Sequence, residues 1–426
     1  MSNIYCVKGD ILYTKKFGTF ETIYNGYILI KENKVKRVYE ELPDEFSNIK
    51  VVDYSNLLII PGLVDLHLHA PQFPNIGLGL DKELIPWLES YTFPEESKYN
   101  NLEYAKKVYS KLIKEIWKHG TTRCCVFATI HKESSKLLMD LFNKSGLGAY
   151  IGKVNMDYKS PDTLIENTNK SINDTVEIIE EYKDKYALVK PIITPRFVPS
   201  CSDKLLKSLG ELAIKYNIPV QSHLSENVGE INMVADRYPS EPNYASVYNS
   251  SNLLGQTKTI MAHCVHLTEE EISLLAQQNV YVAHCPTSNV NLSSGIAPIR
   301  KLIENGIKVG LATDISGGHT LSMFQVMAYA MQISNLKWSE SNHKDLPLTT
   351  AEIFYLVTKG GGEFFGNVGS FEEGYDFDAL VIDDSKDDNF NYLTLEERLQ
   401  KFIYNSDYRN IKVRYVNGNI VNEPNL

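Results

Sequence analysis

Residues 61 to 72 read Pro61-Gly62-Leu63-Val64-Asp65-Leu66-His67-Leu68-His69-Ala70-Pro71-Gln72. The apolar run Leu57, Leu58, Ile59, Ile60 leads into them, and a loop containing Pro and Gly follows. Side chains alternate across a strand with period two, so His67 and His69 share a face where the strand ends. Two imidazoles placed this way can close on one metal ion; the competing reading is two histidines meeting solvent.

The rest of the chain decides between them. Strand candidates rich in β-branched and apolar residues recur at Leu57–His67, Thr121–Thr129, Gly148–Met156, Ala187–Phe197, Ile218–His223, Thr259–His263, Val280–His284 and Lys308–Thr313. Helical stretches separate them, among them Leu102–Lys118, Ser134–Lys144, Asp174–Tyr186, Ser202–Tyr216 and Thr268–Gln277. Ser202 and Thr268 suit N-caps, and glutamates following Thr268 suit a helix N-terminus. Eight such strands with crossover helices predict a (β/α)8 TIM-type barrel over residues 62–371. An open doubly wound sheet would bring a Gly-rich first turn, which the sequence lacks.

Both flanks read as β. Residues 1–61 carry strand candidates at Ile4–Tyr13, Thr22–Ile30 and Lys34–Tyr39, with Glu32-Asn33 as a hairpin tip. Residues 372–426 carry Tyr375–Asp383 and Ile411–Val421, with Asn417-Gly418 as a type I′ turn. The flanks are expected to meet as one small composite β-sandwich domain.

Composition sets the outer limits. The 426 residues are 43% hydrophobic and 23% charged, globular values. A net charge of -10 argues against nucleic acid, whose phosphates need a basic surface. No signal-type N-terminus and no membrane-length apolar run stand out. The six cysteines (Cys6, Cys124, Cys125, Cys201, Cys264, Cys285) form no CxxC pair, so buried thiols in a reducing cytoplasm are expected.

In a parallel barrel, reacting groups sit at the C-terminal ends of strands. His67 and His69 end the first strand, His223 the fifth, His263 the sixth and Asp314 the eighth. Five metal-binding or proton-transferring groups thereby share one rim, which favours the metal reading. Nitrogen and carboxylate donors without thiolates suit Zn2+, with Fe2+ as the alternative. Such a centre acidifies water toward a pKa of ~7, and Asp314 could both touch the ion and accept a proton. Glu226, three residues past His223, suits a proton shuttle with a raised pKa, against the plainer reading of a solvated acid opening a helix. A second metal would need a bridging group. Lys190 falls roughly 20 Å below the rim at ~3.3 Å per residue, and Lys153 lies mid-strand, so one ion is expected.

The stretches PGLVDLHLHA, HLSE, MAH and ATD resemble the amidohydrolase superfamily. Within it, the chain is similar to the guanine deaminase family through HAPQF at 69–73, PWLESYTFPEE at 86–96, KPIITPRFVPSCS at 190–202, QSHLSEN at 221–227, NYASVY at 243–248, HCPTSNVNLSSG at 284–295 and TDISGG at 313–318. The resemblance implies metal ligands His67, His69, His223 and Asp314, with Glu226 as acid and base. It implies purine binding by Gln72, Arg196 and Phe197, alongside His223, Glu226 and Asp314, and His263 orienting the attacking water or the tetrahedral intermediate. An amide and a guanidinium fork suit a purine edge, and a phenyl ring suits its face. Barrel packing for Phe197 and an ion pair for Arg196 are the plainer alternatives. Trp87, Tyr91 and Phe93 are read as lid or core; His266, His284 and Cys285 lie near the rim, His284 as a structural residue.

The implied function is zinc-dependent deamination of guanine to xanthine in purine catabolism, by a cytoplasmic homodimer. Competing expectations are the same machinery acting on 8-oxoguanine, adenosine, cytosine or a triazine, or a non-catalytic scaffold.

Overall fold

The structure is a computed structural model describing residues 4–385, 392–405 and 407–426. The N-terminal flank opens with β1 (Ile4–Lys16), β2 (Thr19–Lys31) and β3 (Lys34–Tyr39), an antiparallel meander. Glu32 and Asn33 both take positive φ (53° and 68°), as the tight hairpin between β2 and β3 requires. β4 (Lys50–Pro61) returns parallel to β1 and runs through Gly62 into β5 (Leu63–His69). A Cβ on Gly62 would sit 2.4 Å from Thr122 Oγ1, so only glycine passes this junction undisturbed.

The expected first strand, Leu57–His67, is therefore two strands. Leu57 to Pro61 ends β4, and the barrel-type strand starts at Leu63. Leu58, Ile59 and Ile60 are buried in the flank sheet and Leu63 and Val64 beyond it, so the apolar run continues unbroken across a change of partners.

After β5 come β6 (Thr121–Phe127), β7 (Gly148–Gly152), β8 (Val154–Asn155), β9 (Val189–Pro191), β10 (Thr194–Pro195), β11 (Val220–Leu224), β12 (Thr259–His263), β13 (Tyr281–His284) and β14 (Lys308–Leu311). They form parallel sheets in the orders β5-β6-β7-β9 and β11-β12-β13-β14, with a short β10-β8 pair. The expected third and fourth strands are each broken in two, β7/β8 and β9/β10. Pro191 and Pro195 lack the N–H that a continuous ladder needs. Backbone bonds cross both seams. Ile193 N donates to Pro219 O and Gln221 N to Ile193 O, both at 2.9 Å. On the other side Asp314 N donates to His67 O at 2.9 Å and His69 N to Ile315 O at 3.0 Å.

The helix Leu102–Lys118 spans the expected residues, capped by Asn101. Asp203–Tyr216 and Glu269–Gln277 begin on Ser202 and Thr268, the latter in a capping box with Glu271. The helix expected at Ser134–Lys144 runs Lys132–Ser145, and that expected at Asp174–Tyr186 runs Thr168–Tyr182 from an Asn167 cap. Among the described residues no helix is long and apolar enough to cross a membrane.

The chain closes with β15 (Ala379–Ile382), β16 (Ile411–Val416) and β17 (Asn419–Ile420). Both flanks join in one seven-stranded sheet, ordered β17-β16-β15-β4-β1-β2-β3. The flanks do meet, and β3 bonds back to the segment before β15 through Val35 N to Tyr375 O at 2.8 Å and Gly374 N to Val35 O at 2.9 Å. The helix Leu395–Asn405 is interposed before β16 and packs on β1 and β2.

Candidate active site

The site is assembled where β5, β11, β12 and the segment after β14 end together. The pairing of β5 with β6 slips between Asp65 and Leu68, a local irregularity of the kind that re-aims side chains. The His67 and His69 rings lie 4.8 Å apart, centroid to centroid. Asp65 ties β5 to the far seam: its carboxylate accepts from the Thr313 hydroxyl at 2.5 Å and the Thr313 amide at 3.0 Å. Burial raises that carboxyl to about 7. Asp314 follows directly, at a positive φ of 47°, so its placement is fixed from both sides.

The six groups read from the rim converge. Asp314 Oδ1 lies 3.1 Å from His67 Nε2 and 3.5 Å from His69 Nε2. His69 Nε2 and His223 Nε2 are 3.1 Å apart. His263 Nε2 is 3.4 Å from Glu226 Oε2 and 3.8 Å from Asp314 Oδ2. All six residues are buried. Burial first, then the neighbouring imidazoles, hold His67, His69 and His223 well below the usual histidine range. Neutral imidazoles carry free lone pairs. His223 Nδ1 donates to the Arg196 carbonyl at 2.6 Å, and His263 Nδ1 to Asn289 Oδ1 at 2.9 Å, which leaves each Nε2 as the acceptor.

The donor set fits a divalent ion on a direct observation. His67 Nε2 and His69 Nδ1 are buried without a hydrogen-bond partner. The short approach of Asp314 to His67 is not aligned as a hydrogen bond. An orphaned buried polar atom costs about 1–3 kcal/mol, and a cation amid these nitrogens and the carboxylate would remove that penalty for His67. Donor atoms of His67, His69 and Asp314 lie within 4.8 Å of one another, as do those of His67, His223 and His263. The sequence reading left Cys285 without a role, yet it forms a third such group with His263 and Asp314. Burial keeps its thiol well above the ordinary range, hence protonated. Lys153 is committed elsewhere, bonded to Glu166 at 2.6 Å, and Lys190 donates to the Lys183 carbonyl. Neither joins the cluster.

A pocket opens onto these groups. His69, Gln72, Arg196, Phe197, His223, Glu226, His263 and Asp314 all line it. Glu226 accepts from Ser294 Oγ at 3.2 Å. Burial, then the nearby Asp314, pushes its carboxyl well above the usual range, which suits a proton carrier. Trp87, read as lid or core, lines the pocket and packs with Leu84, Leu88 and Leu292, while its Nε1 donates to Leu78 O. Tyr91 packs against the same cluster, and Phe93 lies beneath the Arg196 guanidinium, 5.1 Å from ring centre to Cζ. His266 Nε2 donates to the Ser294 carbonyl, and His284 is buried outside the pocket.

Three residues were quoted within motifs without a role. Glu96 binds the Arg196 guanidinium through both oxygens and accepts from Gln72 Nε2 at 2.9 Å. Asn289 and Ser294, inside HCPTSNVNLSSG, hold His263 and Glu226. For Asn289 and Ser294 the signal was the density of polar residues in that motif; Glu96 carried none.

The Amidohydrolase family profile matches residues 58–421. A guanine deaminase of Dictyostelium discoideum is 43% identical, covering 97% of this chain and 97% of its own length. The guanine deaminase of Homo sapiens is 41% identical over 84% of this chain and 82% of its own. A guanine deaminase structure from C. acetobutylicum, with guanine bound in its active site, is 54% identical, with a TM-score of 0.97 over 98% of this chain and 100% of that one.

Proposed function

The chain belongs to the amidohydrolase family, on its guanine deaminase branch, and we propose that the pocket described above hydrolyses guanine to xanthine and ammonia. It is a hydrolase of carbon–nitrogen bonds in cyclic amidines. The observation that carries the residue-level reading is the orphaned His67 Nε2 beside Asp314, next to a pocket lined by Glu226, Gln72 and Arg196.

His67, His69, His223 and Asp314 would hold one ion, Zn2+ on the chemistry of the donors and Fe2+ as the alternative. When bound, the ion supplies Lewis acidity and an acidified water at neutral pH. The chain's own groups do the rest. One C–O bond forms at the amino-bearing carbon and one C–N bond breaks. Glu226, kept able to carry a proton at neutral pH, protonates the ring nitrogen next to that carbon. His263, held by Asn289, presents Nε2 to the attacking oxygen. Glu226 and Asp314 return protons to the leaving amino group, which departs as ammonia. Gln72 and Arg196 bind the purine edge, and Phe197 covers its face.

In this reading the two four-stranded parallel sheets and the β10-β8 pair are arcs of one closed (β/α)8 barrel, supported by the backbone bonds at both seams. Its domain spans residues 62–371, with 1–61 and 372–426 as the composite β domain, within the described residues. A cytoplasmic homodimer acting in purine catabolism is carried over from the family alone.

An ammonia-release assay across guanine, 8-oxoguanine, adenosine, cytosine and a triazine tests the substrate. Guanine is expected to be turned over fastest. An inert guanine beside an active pyrimidine or triazine would overturn the reading.

A further inference from the structure

Glu96 does not line the pocket, yet it holds both side chains that would read the purine edge. Its buried carboxylate accepts from Arg196 Nη1 and, at 3.1 Å, from Arg196 Nη2, and from Gln72 Nε2 at 2.9 Å. On the other side of Gln72, the Ser316 amide donates to Oε1 at 3.3 Å. These contacts determine which way the Gln72 amide faces. A carboxylate paired with a guanidinium only accepts, so the group against it is the NH2. A backbone N–H only donates, so the group against it is the oxygen.

We propose that Glu96 is a positioning residue that sets specificity for a 6-oxo purine, by locking Gln72 and Arg196 as hydrogen-bond donors. The proposal rests on the guanine reading above. One amide hydrogen of Gln72 and three guanidinium hydrogens remain once Glu96 is satisfied. The 6-oxo and N7 edge of guanine presents acceptors only, whereas a 6-amino purine presents a donor at position 6. A wall of locked donors favours the first and leaves the second with donor facing donor. Were the Gln72 amide free to turn over, its oxygen could accept from a 6-amino group, and the discrimination would fall.

The test compares guanine with 2,6-diaminopurine, which keeps the reacting 2-amino group and replaces the 6-oxo and N1–H pair by a 6-amino group and a bare N1. Wild-type turnover of guanine checks the underlying reading separately. In metal-loaded Glu96→Gln, the ratio of kcat/KM for guanine over 2,6-diaminopurine should drop at least about tenfold, chiefly through KM for guanine, with metal content unchanged. Glu96→Asp keeps the charge and should restore part of the ratio; it also serves if Glu96→Gln does not fold. In a Gln72→Ala background, Glu96→Gln should change the ratio little further. An unchanged ratio, or equal losses on both substrates in both variants, overturns the proposal.

Discussion

Glu226 and Glu230 both line the pocket, Glu226 in the loop before the helix Val228–Arg237 and Glu230 in that helix's first turn. They perform different tasks. Glu226 approaches His263 and Ser294, while Glu230 accepts the Glu226 backbone N–H at 2.6 Å and is fully buried. Glu226→Gln should retain metal and guanine binding while kcat falls ~10²–10⁴-fold; steady-state kinetics with metal analysis check this, and near-normal turnover would remove Glu226 from the proton path. Burial, then the charge of Glu226, raises the Glu230 carboxyl to about 8 in the folded chain. The unfolded chain therefore loses this proton first, between its ordinary value and about 8, and the folded state is progressively disfavoured as pH rises through that window. Glu230→Gln cannot ionise, so its unfolding midpoint should gain on wild type from about pH 5 to 8. Parallel curves would contradict this. Histidines and acids at strand ends were legible because each is chemically distinctive and their positions repeat one architectural rule. Glu96 was not: nothing local distinguishes it from the adjacent Glu95, which instead meets Lys98 and Tyr104.

Elements were legible where caps and periods agree, as at Ser202 and Thr268. Met323–Glu340 escaped because its first half buries Met323, Phe324, Val326, Met327, Ala330 and Met331, which blurs a single apolar stripe. Leu395–Asn405 was visible in principle, since Leu395, Leu399, Phe402 and Ile403 keep a helical spacing inside a flank read as β. The junctions between elements hold a further consequence. Arg123 on β6 bonds to Asp378 just before β15, Nε to Oδ2 at 2.7 Å and Nη2 to Oδ1 at 3.0 Å, and both residues are buried. Asp378 also accepts from the Asn417 amide, while its carbonyl takes the Gly62 N–H. This pair staples the parallel sheets to the flank sheet at the point where β4 passes into β5. Arg123→Met leaves a buried carboxylate unpaired and should lower stability by about 3–5 kcal/mol, read as a fall in the denaturant midpoint. Adding Asp378→Leu should recover much of that loss. A single variant as stable as wild type would show the staple to be idle.

At the scale of the whole molecule, the chain brings the proposed ligands from residues 67 to 314 together by ending parallel strands at one place. The alternation of strands and helices conveyed that much, because burial on both faces leaves near-continuous apolar runs. It could not show where β4 hands over to β5, since both sheets bury that run, nor that the flanks share one sheet, since edge pairing leaves no periodic trace. The central claim is that one ion held by His67, His69, His223 and Asp314 serves guanine hydrolysis. Its most direct test is guanine turnover measured while Zn2+ is titrated into chelator-stripped protein. Turnover should rise from near zero and level off at one equivalent per chain; activity that persists in the stripped protein, or that never appears with guanine at any equivalence, would contradict the account.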